Sequence, residues 1–209
     1  MSDLGNGNEA RGAFARERRD LLAAFRRTAG EQGYRALTIE VVTRTAGLPR
    51  ERFDVHFDSK EEALAAVQEE FLEGICREAE SSCVAETGWP EGVRAALGSI
   101  LGRMIETETL TRALMVEAPG QSFAARQRQT GTLDRLAAML AGGRRLYPRA
   151  AELPPLAERV LIGGVASVIA ERLLGEDAAT LRGLVQELLW LLLMPYLGIQ
   201  EARRFVEAG

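Results

Sequence analysis

Lysine is almost missing from this 209-residue chain, which holds one lysine, one histidine and two cysteines, while every other basic residue is arginine. A single histidine without a CxxC pair gives no basis for a zinc site, so neither metal nor cofactor is expected. Cys76 and Cys83 fall one heptad apart on an expected helix. At about 1.5 Å rise per residue they are roughly 10 Å apart, too far for a disulfide within one straight helix. Both are expected to be reduced packing residues of a cytoplasmic protein. Long hydrophobic runs are missing too: Leu188–Leu197, the most apolar stretch, is about half of a bilayer span, so no membrane segment is expected. No apolar signal core opens the chain, and residues 1–14 are expected to be a disordered arm, polar and glycine-rich. Nucleophile elbows, phosphate loops and metal clusters are also lacking, so the chain is not expected to be an enzyme.

What is present is helix after helix. The net charge of −4 and pI of about 5.3 advertise no polyanion partner, but the charge is uneven. Residues 11–60 hold 11 Arg/Lys against 7 Asp/Glu, and residues 61–209 hold 15 against 21. A basic end on an acidic protein suits a DNA-reading head, and a plain solvated face gives much the same count. Phe14, Arg18, Leu21, Leu22, Phe25 and Ala29 recur at three- and four-residue steps along a first helix, with Gly33 as its left-handed stop. Thr38 is a good N-cap for a second helix, Gly47 ends it, and Pro49 suits the opening of a third, spanning about 49–57. Phe53 and Phe57 point into a core with Ile39, Val42, Ala46 and Leu48. That leaves Arg50, Glu51, Arg52, Asp54 and His56 toward solvent, or toward whatever this helix docks against. Ser59-Lys-Glu-Glu62 has capping-box spacing, so a fourth helix starts at Lys60. A cation in a first turn opposes the helix macrodipole by roughly 0.3–1 kcal/mol. A phosphate bound there would turn that cost into a gain, and Glu61 and Glu62 compensate it equally well without a ligand.

The ordered set Phe25…Gly33-Tyr34, Leu37-Thr38-Ile39-Glu40-Val41-Val42, Ala46-Gly47-Leu48, Phe53, His56-Phe57 and Ser59-Lys60-Glu61 resembles the TetR family of bacterial transcriptional regulators. The resemblance covers about Arg16 to Val67. It implies a three-helix DNA-binding head with a helix-turn-helix, and a larger helical domain that binds a small-molecule effector and forms a homodimer. Effector binding then releases a palindromic or pseudo-palindromic operator, the behaviour of a repressor. By the same resemblance Thr38, His56 and Lys60 fall on positions that touch the DNA backbone, and the recognition helix runs from about Pro49 to Val55. Asp54 departs from the family's usual tyrosine. It repels phosphates, accepts from a cytosine, or simply pairs with Arg50 at i,i+4. Arg50 and Arg52 restore positive charge and can reach guanine edges or phosphates.

The expected architecture is all-α with about nine helices: an arm at 1–14, a head at 15–60 and a C-terminal domain at 61–209. Trp89, Met104, Met115, Phe123 and Met139 lie on the middle helices, where the family forms its effector cavity, with Arg112, Glu117 and Gln121 as polar candidates. Residues of these types at helical spacing are more often plain core. The last two helices read as a pairing surface, with Gly163, Gly164 and Ser167 allowing close approach, and Leu188 and Trp190 on a helix apolar nearly all round. The competing assignment is a helical ligand- or protein-binding module whose head is weakened for DNA by Asp54.

Overall fold

The computed structural model describes residues 3–117, 123–175 and 178–209. Among these the chain is helical, with no strand. Ten α-helices follow one another: α1 Asp3–Gln32, α2 Ile39–Ala46, α3 Glu51–His56, α4 Lys60–Val84, α5 Trp89–Glu106, α6 Glu108–Met115, α7 Phe123–Ala141, α8 Ala157–Gly175, α9 Leu181–Leu197 and α10 Ile199–Glu207. The helix α1 takes in most of the expected arm. Glu9, Ala10, Arg11 and Ala13 are ordinary helix formers and extend it past Gly5 and Gly7. The expected break at 118–120 lies outside the described residues.

The chain divides into two compact units, Met1–Glu70 with Thr109–Pro119, and Phe71–Glu108 with Gly120–Gly209. In the first, the apolar stripe of α1 (Leu21, Leu22, Phe25, Ala29) is buried, as are Leu37, Val42, Phe53, Phe57, Leu64 and Val67. Leu110, Ala113 and Leu114 of α6 complete this core. The Gln68 side-chain amide donates to the Leu114 carbonyl, and the Glu117 carboxylate accepts from the Tyr34 N–H at 3.2 Å.

The second unit is organised by α9, which packs on α5, α8 and α10, while α7 packs on α8. Leu181, Leu184, Leu188, Leu189, Leu192, Leu193 and Tyr196 are all buried, so α9 is covered on more than one face within its own chain. Pro195 sits inside the helix and lacks the N–H that a regular turn would use. Gly198, at φ 86°, lets the chain break direction into α10. Trp89 at the start of α5 packs at a tilt against Tyr147 and Tyr196, with ring centroids 5.5 and 4.6 Å away, and lies over Gly143. A Cβ at Gly143 would stand 2.5 Å from the indole. Beneath this cluster Glu158 is only 4% exposed. Arg144 holds it in two parallel bonds of 2.7 and 2.8 Å, and the Tyr196 hydroxyl donates to it at 2.8 Å. Arg144 also donates to the carbonyls of Leu153 and Pro154, tying the loop before α8 to the same charge pair. A buried carboxylate is tolerated because its lone pairs are used. These bonds hold Glu158 below the usual carboxylate range, whereas burial, reinforced by the Glu158 charge, pushes the Tyr196 hydroxyl well above its ordinary value.

Candidate nucleic-acid interface

The first unit builds a helix-turn-helix from local signals. The Thr38 hydroxyl caps α2 by accepting from the Val41 N–H at 3.2 Å, and its side chain stays at the surface. At the other end Gly47 adopts φ 70°. Its N–H bonds to the Arg44 carbonyl at 3.1 Å and the Leu48 N–H to the Thr43 carbonyl at 2.9 Å, the paired bonds of a Schellman cap. The chain turns at once into α3, whose first bonds run to the carbonyls of Pro49 and Arg50. Phe53 and Phe57 anchor it, 5.4 Å apart between ring centroids and both buried. The expected start of α4 is present: the Ser59 hydroxyl accepts from the Glu62 N–H at 3.1 Å. Glu62 reaches back to the Asp58 N–H at 2.6 Å, one residue beyond the reciprocal bond of a standard capping box.

Arg50, Arg52 and Lys60 each have a partner within the head. Arg50 pairs with Asp54 at 2.7 Å on the same helix and reaches Glu40 of α2 at 3.8 Å. The bond from Asp54 raises the Arg50 guanidinium above its usual pKa. Asp54 is exposed and spends an oxygen on this pair, the solvent-facing arrangement foreseen as its plainest role. Lys60 lies with its ammonium 4.1 Å from the Tyr34 ring centre, and partial burial lowers its pKa. The same burial, helped by the Glu61 charge, raises that of the Tyr34 hydroxyl.

His56 requires a correction. It was expected on the solvent face, yet its side chain has 0% exposure. Its Nε2 donates to Glu17 of α1 at 3.0 Å and its ring stacks on Phe14 at 4.2 Å between centroids. Its Nδ1 is buried with no partner among the described residues. The expectation failed because the face of α1 that carries Phe14 and Glu17 packs over that edge of α3, a contact that no local pattern announces. Arg52 converges on the same carboxylate, through Nε at 3.0 Å and through Nη2. The hydrogen bond from His56, then that from Arg52, hold Glu17 below the ordinary carboxylate range. Sequence reasoning missed Glu17 altogether; its one signal is placement on the α1 stripe three residues after Phe14.

Elsewhere the expected residues scatter. Trp89 is packed between two tyrosines, and Met104 and Met139 are half-buried in the second unit, whereas Met115 belongs to the first. The side chains of Phe123 and Gln121 lie outside the described residues. Two open grooves are described in the second unit, neither lined by those candidates. One, of about 570 Å³, is lined by Pro90, Tyr147, Leu197, Glu201, Arg204 and Phe205. The other, of about 410 Å³, runs along α9 and α10 and includes Trp190 and Leu191. On α8, Gly164 and Ser167 are exposed and Gly163 is half-buried, with open space where a Cβ would stand at either glycine. Leu188, expected on the pairing face, is only 2% exposed and belongs to the core of the second unit. Trp190 is half-buried and donates to the Ile199 carbonyl at 3.3 Å. Among the described residues no group of three His, Cys, Asp or Glu side chains could hold a metal, and no helix is long and apolar enough to cross a membrane.

No family model matches the sequence, nor does any curated protein. Solved structures do match. RolR, crystallised with the ligand resorcinol, is 18% identical over 95% of this chain and 96% of its own, with a TM-score of 0.71. The transcriptional regulator FadR from Bacillus subtilis, in complex with stearoyl-CoA, is 17% identical over 87% of this chain and 98% of that one, at TM-score 0.63. A TetR family transcription regulator from Marinobacter aquaeolei VT8 is 17% identical over 89% and 96%, at TM-score 0.58. The chain therefore shares the fold of TetR-type regulators: all-α, with an N-terminal helix-turn-helix and a larger C-terminal helical unit.

Proposed function

We propose that this chain is a TetR-family transcriptional regulator: a cytoplasmic, homodimeric repressor that leaves its operator when a small-molecule effector binds. The observation that carries the reading is the capped α2–turn–α3 unit, inside a fold shared with solved regulators over nearly the whole chain. Residues 15–60 form the DNA-binding head and residues 61–209 the effector and dimerisation domain. Thr38, Arg50 at the N-cap of α3 and Arg52 within it contact the DNA, with Lys60 on the flanking backbone. His56 supports α3 from behind rather than touching phosphate. The effector lies in the second unit, and the ligands of the two neighbours, resorcinol and stearoyl-CoA, differ too much for the fold alone to set its chemistry.

Dimerisation is supported by apolar groups that α8 and α9 leave uncovered. Val160 and Leu174 are 68% and 64% exposed, and helical spacing puts them with Gly164, Ser167 and Val168 along one side of α8, while Leu191 of α9 is 41% exposed. A two-fold dimer on this face presents two recognition helices to half-sites about 34 Å apart. A second reading has its own support: Asp54 and Glu17 offset the charge of both α3 arginines, as expected of a head that has lost DNA binding. Sedimentation of the purified chain, with fluorescence anisotropy on DNA from its own promoter region, separates the two. The first reading requires a dimer that forms a specific complex; a dimer that binds no promoter fragment supports the second.

A further inference from the structure

Glu17 is the residue through which α1 meets the recognition helix. One of its oxygens receives Arg52 through Nε and Nη2, and also His56 Nε2 at 3.0 Å. Arg52 and His56 are one turn apart on α3, so a single carboxylate spans that turn. The contacts on either side fix its place. Phe14 stacks on His56 at 4.2 Å, and the Arg18 guanidinium lies 5.0 Å from the centre of the Phe57 ring. Residues 14, 17 and 18 share one face of α1, and together they grip α3 from Arg52 to its C-cap, Phe57. His56 is sealed beneath this grip, while the Arg52 side chain remains 38% exposed at its edge. A guanidinium held by two of its N–H groups on one carboxylate has a fixed plane, and its remaining donors point away from that partner. Its net charge is also offset at a distance of one hydrogen bond.

We infer that Glu17 is a specificity-determining positioning residue: it converts Arg52 from a phosphate-binding charge into an oriented, charge-compensated donor for a base edge. The inference rests on the DNA-binding reading above. A free arginine on this surface would be drawn to any phosphate, and backbone contacts carry no sequence information. A compensated one adds little to non-specific binding, yet still presents hydrogen-bond donors in fixed geometry, which is what direct readout needs.

The test uses the full-length chain and two DNA duplexes, a promoter-derived site and a scrambled one, over a range of salt. Three variants are compared: Glu17→Gln, Arg52→Gln and the double variant, each with a thermal melt. Glu17→Gln keeps the shape and an acceptor but removes the charge. It should steepen the salt slope on scrambled DNA by about 0.9 per head and tighten that binding about fivefold per head at 0.15 M salt, one counterion's worth. Preference for the promoter site should fall at the same time. In the Arg52→Gln background the same change at Glu17 should alter neither slope nor preference. Arg52→Gln alone supplies the arm that survives if Glu17→Gln does not fold. It should leave the slope unchanged while lowering preference by about 5- to 150-fold, the worth of one bidentate base contact. The inference is overturned if Arg52→Gln flattens the slope by a full contact, or if Glu17→Gln changes both duplexes equally whether or not Arg52 is present. The second pattern would make Glu17 a plain inter-helix tether. A wild-type chain that shows no salt-dependent complex on either duplex overturns this inference and the DNA-binding reading together; a wild type that binds while the variants behave as just described overturns this one alone.

Discussion

Replacing Tyr196 by Phe removes one oxygen from the most enclosed polar group of the second unit and leaves everything else in place. The ring keeps its contact with Trp89, 4.6 Å between centroids, and Glu158 keeps both bonds from Arg144. What is lost is one hydrogen bond, 2.8 Å long, from a buried hydroxyl to a carboxylate that is 4% exposed. A hydrogen bond to a charged group is worth about 1.5–3 kcal/mol, and removing its donor leaves the acceptor less satisfied. The low end applies, because the guanidinium still compensates Glu158, so the expected loss is about 1.5 kcal/mol. For a chain of this size that lowers the melting temperature by about 3–6 °C. Circular dichroism melts and urea titrations of wild type and Tyr196→Phe measure it. A change below about 0.5 kcal/mol would show that the hydroxyl finds water in the folded state and that the network does not hold the unit together. Glu158→Ala should cost more than Tyr196→Phe in the same melts, since it removes the charge partner of Arg144 as well as the acceptor of the Tyr196 hydroxyl.

Other outcomes follow from the same geometry. Gly143→Ala forces a methyl to within 2.5 Å of a packed indole and should destabilise by about 1–3 kcal/mol, read in the same melts. Glu17 and Glu158 both have folded-state pKa values below the unfolded value of a glutamate, so their contributions are present above that value. Stability should therefore drop as pH falls through and below the ordinary carboxylate range; a curve flat to pH 3 would contradict the lowered values. Lys60→Ala should weaken binding to all DNA sequences about equally and reduce the salt slope by about one unit, and an unchanged slope removes it from the phosphate set.

The parts that could be read from the sequence are those set by neighbours along the chain. Thr38, Gly47, Pro49 and Ser59 act within four residues of themselves, so caps and turns announce the helix-turn-helix. Phe53 and Phe57 follow from the helical period alone. His56 follows Arg52 by one turn, which helical period alone gives, but its burial depends on Glu17, 39 residues earlier, which no local pattern aims at it. The Arg144–Glu158–Tyr196 group joins positions 14 and 38 residues apart, and nothing in a single sequence marks which arginine meets which glutamate. Leu188 and Trp190 illustrate the same limit. A helix apolar on several faces must be covered, but which faces the protomer covers itself is settled only by α5, α8 and α10.

The account stands on the claim that the first unit reads DNA. Equilibrium binding of the purified protein to a promoter-derived duplex and a scrambled duplex between about 50 and 300 mM salt tests it directly. The expected result is a log–log slope of about −3 or steeper, at roughly 0.9 per phosphate contacted, with promoter DNA preferred at every salt concentration. Equal, weak binding to both duplexes with a slope near zero would contradict it.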